Sequence, residues 1–245
     1  MMAELVESKV DVICVGSLTG IRAAKQATMT IPIVMVTTAV PVAAGLIKSL
    51  ARPGGNLTGL TLLTRELTDK QLELLKEVVP TTSRAGFLLD ADSSGARLRF
   101  KEYETAASGQ KMALQAIEVQ REKPDFQGAF QTVAKRSMNA LIVVRSSLFL
   151  GHRKQIADLA IKYRIASMNE INDYVEVGGL MSYSANYADS YRRAGVYAAK
   201  ILNGASPGEL PVEQPTKFEF VINLKTAKQI GLTPNVLARA DRVIK

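Results

Sequence analysis

The sequence predicts an α/β fold with parallel sheets covered by helices, and three features predict it. Short β-branched runs alternate with longer stretches of helical period, which is the rhythm of βαβ units. The runs "VDVICV" (10–15), "IPIVMV" (31–36) and "ALIVVR" (140–145) are almost continuously apolar, as strands buried on both faces are. Two breaks, "ARPGGNLTG" (51–59) and "VEVGGLMSYSANYADSYRRAG" (175–195), interrupt the rhythm. They fit one open sheet of about seven or eight strands and two smaller sheets with crossing connections equally well.

In chain order, the strand "VDVICV" runs through a Gly/Ser/Thr turn into the helix "GIRAAKQAT", and "IPIVMV" is followed by a helical spacing in "AAGLIKSLA". After the Pro/Gly turn comes the strand "NLTGLTLL" and then the helix "LTDKQLELLKEVVP". "RAGFLL", "ALQAIEV" and "ALIVVR" are the next strands. They are separated by helices in "ARLRFKEYETAASGQKM" and "DFQGAFQTVAKRS" and followed by one in "HRKQIADLAIKYR". Beyond the Gly178-Gly179 pair, "LMSYSAN" leads into a helix starting near Ala188, capped by Asn186 or Asp189. "KFEFVINL" (217–224) alternates like a strand, as a third crossing or a sheet edge would.

A chain of 245 residues that is 47% hydrophobic can build one large domain or two lobes. Its net charge of +8 favours anionic partners at long range. The basic residues are nevertheless scattered over helix faces without a nucleic-acid motif, so no nucleic-acid partner is expected. Cys14 is the one cysteine, which excludes an internal disulfide and two-thiol chemistry, and it reads as a small buried hydrophobe. His152 is the one histidine and reads as a surface helix position, so no metal site is expected. No run approaches the roughly 18 apolar residues that span a bilayer. The opening "MMAELVESKVD" has no export-signal pattern.

Parallel sheets bind ligands beyond the carboxyl ends of their strands, so the loops there carry the candidate site. They hold Ser17 and Thr19, Thr37 and Thr38, Asp90 with Asp92, Ser146 and Ser147, and Asn169. Hydroxyls in this setting can donate to a carboxylate, and the turn "GSLTG" lacks both the Lys-Ser/Thr of a P-loop and a dinucleotide fingerprint, so no cofactor is expected. Ser17 and Thr19 equally suit plain helix capping, and Asp90 and Asp92 equally suit capping of the helix after them. Tyr183 can stack on a ligand, whereas Tyr187 and Tyr191, four apart on a helix, read as lobe packing. No nucleophile and base stand together, so the chain is not read as an enzyme.

Four stretches resemble one family: "IPIVMVTTAVPVAAGLIKSLARPGGNLTGLT", "LELLKEVVP", the long run from "VEVGGLMSYSANYADSYRRAG" to "INLKTAKQIGL", and "LARADRVIK". They are similar to the ABC-transporter substrate-binding proteins of the tryptophan/tyrosine-importer-like group. The resemblance implies a type I periplasmic binding protein with two Rossmann-like lobes joined by crossing hinge strands. It implies capture of a small carboxylate-bearing solute, such as an aromatic amino acid, in the interlobe cleft, and delivery to a membrane permease in the periplasm. The hydroxyl loops and Asn169 would line that cleft, with Tyr183 and Asn186 on a crossing segment. The first crossing is expected near Leu62–Arg65 and the second near Met181–Asn186. Lobe one then takes residues 1–63 and 184–215, lobe two takes 64–183, and 216–245 is left without a lobe.

Two departures qualify the expectation. Val40 stands where family members often carry an acid before the proline, which weakens the case for recognition of an amino group. The first strand, helix and strand of lobe one are expected to be absent, leaving an open edge or an uncovered face; either the chain is a shortened version of a longer exported protein, or a second copy covers the gap. The alternatives are a two-lobe ligand sensor acting through a protein partner, and an amino-acid-processing enzyme.

Overall fold

The structure, a computed structural model, describes residues 2–62, 65–93 and 95–245. The chain begins with α1 (Met2–Glu7), β1 (Ile13–Val15), α2 (Leu18–Ala27), β2 (Ile33–Thr37) and β3 (Leu57–Thr61). It continues through α3 (Arg65–Val78), β4 (Arg84–Asp90), α4 (Ala96–Gly109), β5 (Ala113–Val119), α5 (Phe126–Lys135) and β6 (Ala140–Val143). Then come α6 (Ser147–Gly151), α7 (Arg153–Lys162), β7 (Ala166–Asn169), α8 (Asp173–Glu176), β8 (Met181–Ala185) and α9 (Tyr187–Leu202). The last elements are β9 (Phe218–Asn223), α10 (Leu224–Gln229) and β10 (Arg242–Ile244). Two compact units result: Met1–Thr64 with Ala185–Lys217, and Arg65–Ser184 with Phe218–Lys245. Leu63 and Thr64, inside the expected first crossing, lie outside the described residues.

The first unit is a three-stranded parallel sheet in the order β1-β2-β3. Every residue of β2 and β3 is buried, with α2 packed on β1 and β2 and α9 on β2 and β3. Ile13, Ile33, Met35 and Leu57 meet Ile21 and Ala24 of α2 in the core. A Leu or Ile side chain buried to this depth contributes about 1.5–3 kcal/mol. Gly59 makes the β2–β3 pairing possible: its φ is +129°, and a Cβ there would lie 2.2 Å from Met35 O.

Two expectations fail in this unit. Cys14 is exposed. It sits on a three-residue edge strand, with the buried Ile13 before it, and α9 packs on β2 and β3. The stretch 43–51 is turns and bends, although its apolar spacing is helical. Gly45 takes φ +68°, and the Leu46 carbonyl is turned out to accept from Lys25 Nζ at 2.6 Å, so Leu46 and Ile47 reach the core from a loop.

The second unit carries a seven-stranded sheet in the order β10-β9-β8-β7-β6-β4-β5. The pairs β4·β5, β4·β6, β6·β7, β7·β8 and β9·β10 are parallel. Phe87 of β4 is wholly buried, edge-on to Phe100 and Tyr103 of α4 with ring centroids 5.5 and 5.3 Å away. "KFEFVINL" forms β9 and is not a sheet edge, because the short strand in "ADRVIK" pairs outside it. The helix after β8 begins at Tyr187, and Asn186 caps it by accepting from the Asp189 N–H at 2.9 Å.

Candidate functional site

In the first unit, the chain leaves β1 through Gly16 and turns into α2. Ser17 is the N-cap, with extended backbone at φ −120° and ψ 145°, and its Oγ accepts from the Gly20 N–H at 3.1 Å. Both glycines of "GSLTG" have a steric reason. A Cβ on Gly20 would stand 2.7 Å from Val15 Cγ2, and one on Gly16 would stand 2.5 Å from Tyr191 Oη. Tyr191, which the sequence suggested was lobe packing, is 47% exposed and lays its phenol over the turn.

Thr37, at the end of β2, is buried; its Oγ1 accepts from the Ala39 N–H, and Thr61 Oγ1 donates to Ala39 O at 3.0 Å. These two threonines brace the loop that carries the half-buried Thr38, while Ser17 and Thr19 are exposed.

In the second unit, strands β5 and β6 lie on opposite sides of β4, so the chain reverses its winding there. Such a switch point is where open parallel sheets leave a crevice beyond the strand ends. Asp90 closes β4, Arg121 follows β5, and Ser146 and Ser147 follow β6. Arg121 joins all three loops. Its main-chain N–H donates to Asp92 Oδ2 at 2.7 Å, Nη2 donates to Asp90 Oδ2 at 2.6 Å, and Nη1 donates to Ser147 Oγ at 3.1 Å. The side chain of Asp90 is 2% exposed and that of Arg121 is 45% exposed. Asp90 Oδ1 is buried with no hydrogen-bond partner among the described residues. Neither Asp90 nor Asp92 caps α4, whose N-cap is Gly95 without a side-chain bond.

Ser146 is the N-cap of α6 and accepts from the Phe149 N–H at 3.1 Å. Asn169 is buried and donates from Nδ2 to Met181 O at 2.9 Å, which ties β7 to β8. Tyr183 is half-buried and stacks on Phe218 at 5.6 Å; burial is the main cause that raises its phenol pKa. Its carbonyl accepts from Gln71 Nε2 at 2.6 Å. His152 is half-buried between α6 and α7 and donates from Nδ1 to Leu148 O at 2.9 Å.

Behind the strand ends lies a buried polar network. Glu170 pairs with Arg99, and it accepts from the Arg145 main-chain N–H at 2.7 Å and from Tyr103 Oη at 2.9 Å. The same phenol faces Gln71 Oε1 at 2.5 Å. Burial pushes the Tyr103 pKa up to about 12, so it stays a donor at physiological pH.

The structure thus brings Asp90 and Ser147 together through Arg121, and it gathers Ser17 and Thr19 at one turn beneath Tyr191. Ser146 and Asn186 each cap a helix, and Asn169 ties β7 to β8. The sequence reading missed Arg121 and Tyr191. Arg121 stands in the charged run "VQREKPD", 31 residues from Asp90 and 26 from Ser147, so no local pattern marks it.

Residues 1–244 match the model of the ABC transporter substrate binding protein family. The chain belongs to this family. Its members are solute-binding proteins. A tyrosine-binding protein of Clostridioides difficile is 26% identical over 230 residues; the match covers 94% of this chain and 66% of that relative's length. A conserved domain protein from Vibrio cholerae O1 biovar eltor superposes with a TM-score of 0.90 at 27% identity, covering 99% of this chain and 81% of that one. The ABC domain in complex with L-Trp from Streptococcus pneumonia gives a TM-score of 0.87 at 25% identity, with 100% and 82% covered. The fold is that of the type I periplasmic binding proteins. Among the described residues no helix is long and apolar enough to cross a membrane.

Proposed function

We propose that this chain is the solute-binding component of an ABC-type importer and that it takes a small carboxylate-bearing solute, with an aromatic amino acid as the substrate class. The observation that carries the reading is the polar cluster of Asp90, Arg121 and Ser147 at the switch point of the second unit's sheet. The tyrosine-binding relative and the L-Trp complex support the substrate class. In this reading solute is held in the cleft between the lobes, and the loaded protein docks on a membrane permease from the periplasmic side. Ser17, Thr19, Thr38 and Tyr191 of the first unit and Ser146 and Arg121 of the second present polar groups to the solute, with Asp90 and Ser147 holding Arg121. Tyr183 and Asn186 flank a crossing segment, and Thr37 and Asn169 hold the strand ends in place.

No side chain in the proposed site is a nucleophile paired with a base, so binding is a matter of hydrogen bonds, charge and aromatic contact. The test is a thermal melt of the purified chain with L-tyrosine, L-tryptophan, aliphatic amino acids and benzoate. A solute that binds the folded state raises Tm by an amount set by its concentration over its Kd. A rise confined to aromatic amino acids is the expected result. A cooperative melt that no carboxylate shifts refutes the proposal.

A further inference from the structure

We propose that Arg121 is the residue that recognises the solute's carboxylate, and that Asp90 and Ser147 act as positioning residues for its guanidinium. The inference rests on the solute-binding reading above and assigns the anion seat to the second unit. The sequence had suggested the N-terminus of α2 for that role. There the Ser17 hydroxyl already accepts from the Gly20 N–H, so one of the free amides expected to face an anion is spent on capping.

The Arg121–Asp90 pair is one-sided. Arginine–carboxylate pairs frequently engage both oxygens in a fork. Here Nη2 meets Asp90 Oδ2 alone, Nη1 turns to Ser147 Oγ, and Asp90 Oδ1 is left buried without a partner among the described residues. The fork is held from two sides, and the main-chain N–H bond to Asp92 fixes the residue that bears it. A guanidinium has more donors than these two bonds use, and the side chain is 45% exposed.

Its unused edge is therefore a planar, preorganised pair of donors at the mouth of the β4/β6 switch point, matched in shape to a carboxylate. Restraint of a long side chain before binding lowers the entropy lost when solute arrives. Asp90 and Ser147 supply that restraint and need not touch the solute.

The test is calorimetric titration of the full chain with L-tyrosine and L-tryptophan and with tyramine and tryptamine, which keep the ring and amine but lack the carboxylate. A hydrogen bond to a charged group sets the expected loss, so Arg121→Gln weakens amino-acid binding about 10- to 150-fold. The same variant binds the two amines as the wild type does. Arg121→Lys keeps the counter-ion of Asp90 and hence the fold, but a point charge replaces the fork and amino-acid affinity falls by an intermediate factor. Ser147→Ala frees one side of the fork and weakens the amino acids while sparing the amines.

If the wild type binds the amino acids and both Arg121 variants bind them equally well, the inference fails and the functional reading stands. Equal loss of amino acids and amines in both variants also overturns it. If the wild type binds none of the four compounds, the functional reading fails and takes the inference with it.

Discussion

The buried pair of Arg99 and Glu170 gives the sharpest test of how the second unit is held together. Their side chains are 8% and 5% exposed, and Glu170 also accepts from Tyr103 and from the main chain of Arg145. The pair joins α4 to the end of β7, and the Arg145 bond brings in the end of β6. Glu170→Gln preserves shape but takes away the carboxylate that pairs with the buried Arg99. Removal of one partner of a buried pair costs about 3–5 kcal/mol. At about 2–4 °C per kcal/mol for a chain of this length, Tm falls by roughly 6–20 °C. Arg99→Met combined with Glu170→Gln removes the buried guanidinium as well, while in both variants the Gln carbonyl replaces only one of the two carboxylate oxygens that accept from Tyr103 and Arg145. The double variant is therefore expected to be more stable than Glu170→Gln alone. Urea melts of wild type, the two singles and the double close the cycle. A cost below about 1 kcal/mol for Glu170→Gln, or costs that simply add in the double, refutes the reasoning.

The remaining predictions concern single positions. Gly59→Ala drives a Cβ into the Met35 backbone, and neither strand can yield, so this variant is expected not to give a soluble, cooperatively melting first unit; a cooperative melt near wild-type Tm sinks the steric argument. Gly16→Ala meets only the far end of Tyr191, so stability changes little while the phenol moves off the turn. Solute affinity should then fall with Tm nearly unchanged, and unaltered titrations would remove Tyr191 from the proposed site. Cys14 is exposed, so a thiol reagent at alkaline pH should modify it fully without denaturant; protection until unfolding would contradict the exposure of its side chain on β1.

Burial holds the Glu102 carboxyl above its ordinary pKa, with the Arg99 charge opposing. Such a group favours the fold while protonated, and that contribution is lost as pH rises through the folded pKa. Glu102→Gln is thus expected to melt higher than wild type at pH 7, with the gain vanishing toward about pH 4. Equal melting at both pH values would refute this.

How much the sequence discloses depends on whether a residue's partner is near it in the chain. Continuously apolar runs such as "ALIVVR" announced buried parallel strands, because burial on both faces leaves its mark within a few residues. "AAGLIKSLA" carries helical spacing for a different reason: Leu46 and Ile47 are anchored to the core from a loop that Gly45 turns, and periodicity does not separate the two cases. The site divides along the same line. Ser17, Ser146 and Asn186 were visible as strand-end polar groups, and each makes the capping bond that its own neighbours predict. Arg121 has no such neighbour. The order β6-β4-β5 alone brings the loops after three strands together and sets a guanidinium between a carboxylate 31 residues before it and a hydroxyl 26 residues after it. Capping is written locally, whereas a charge fixed at a switch point is a product of topology. The residues best placed to discriminate solutes are accordingly those that the sheet order assembles, and the strand-end rule finds the place before it can find the residue.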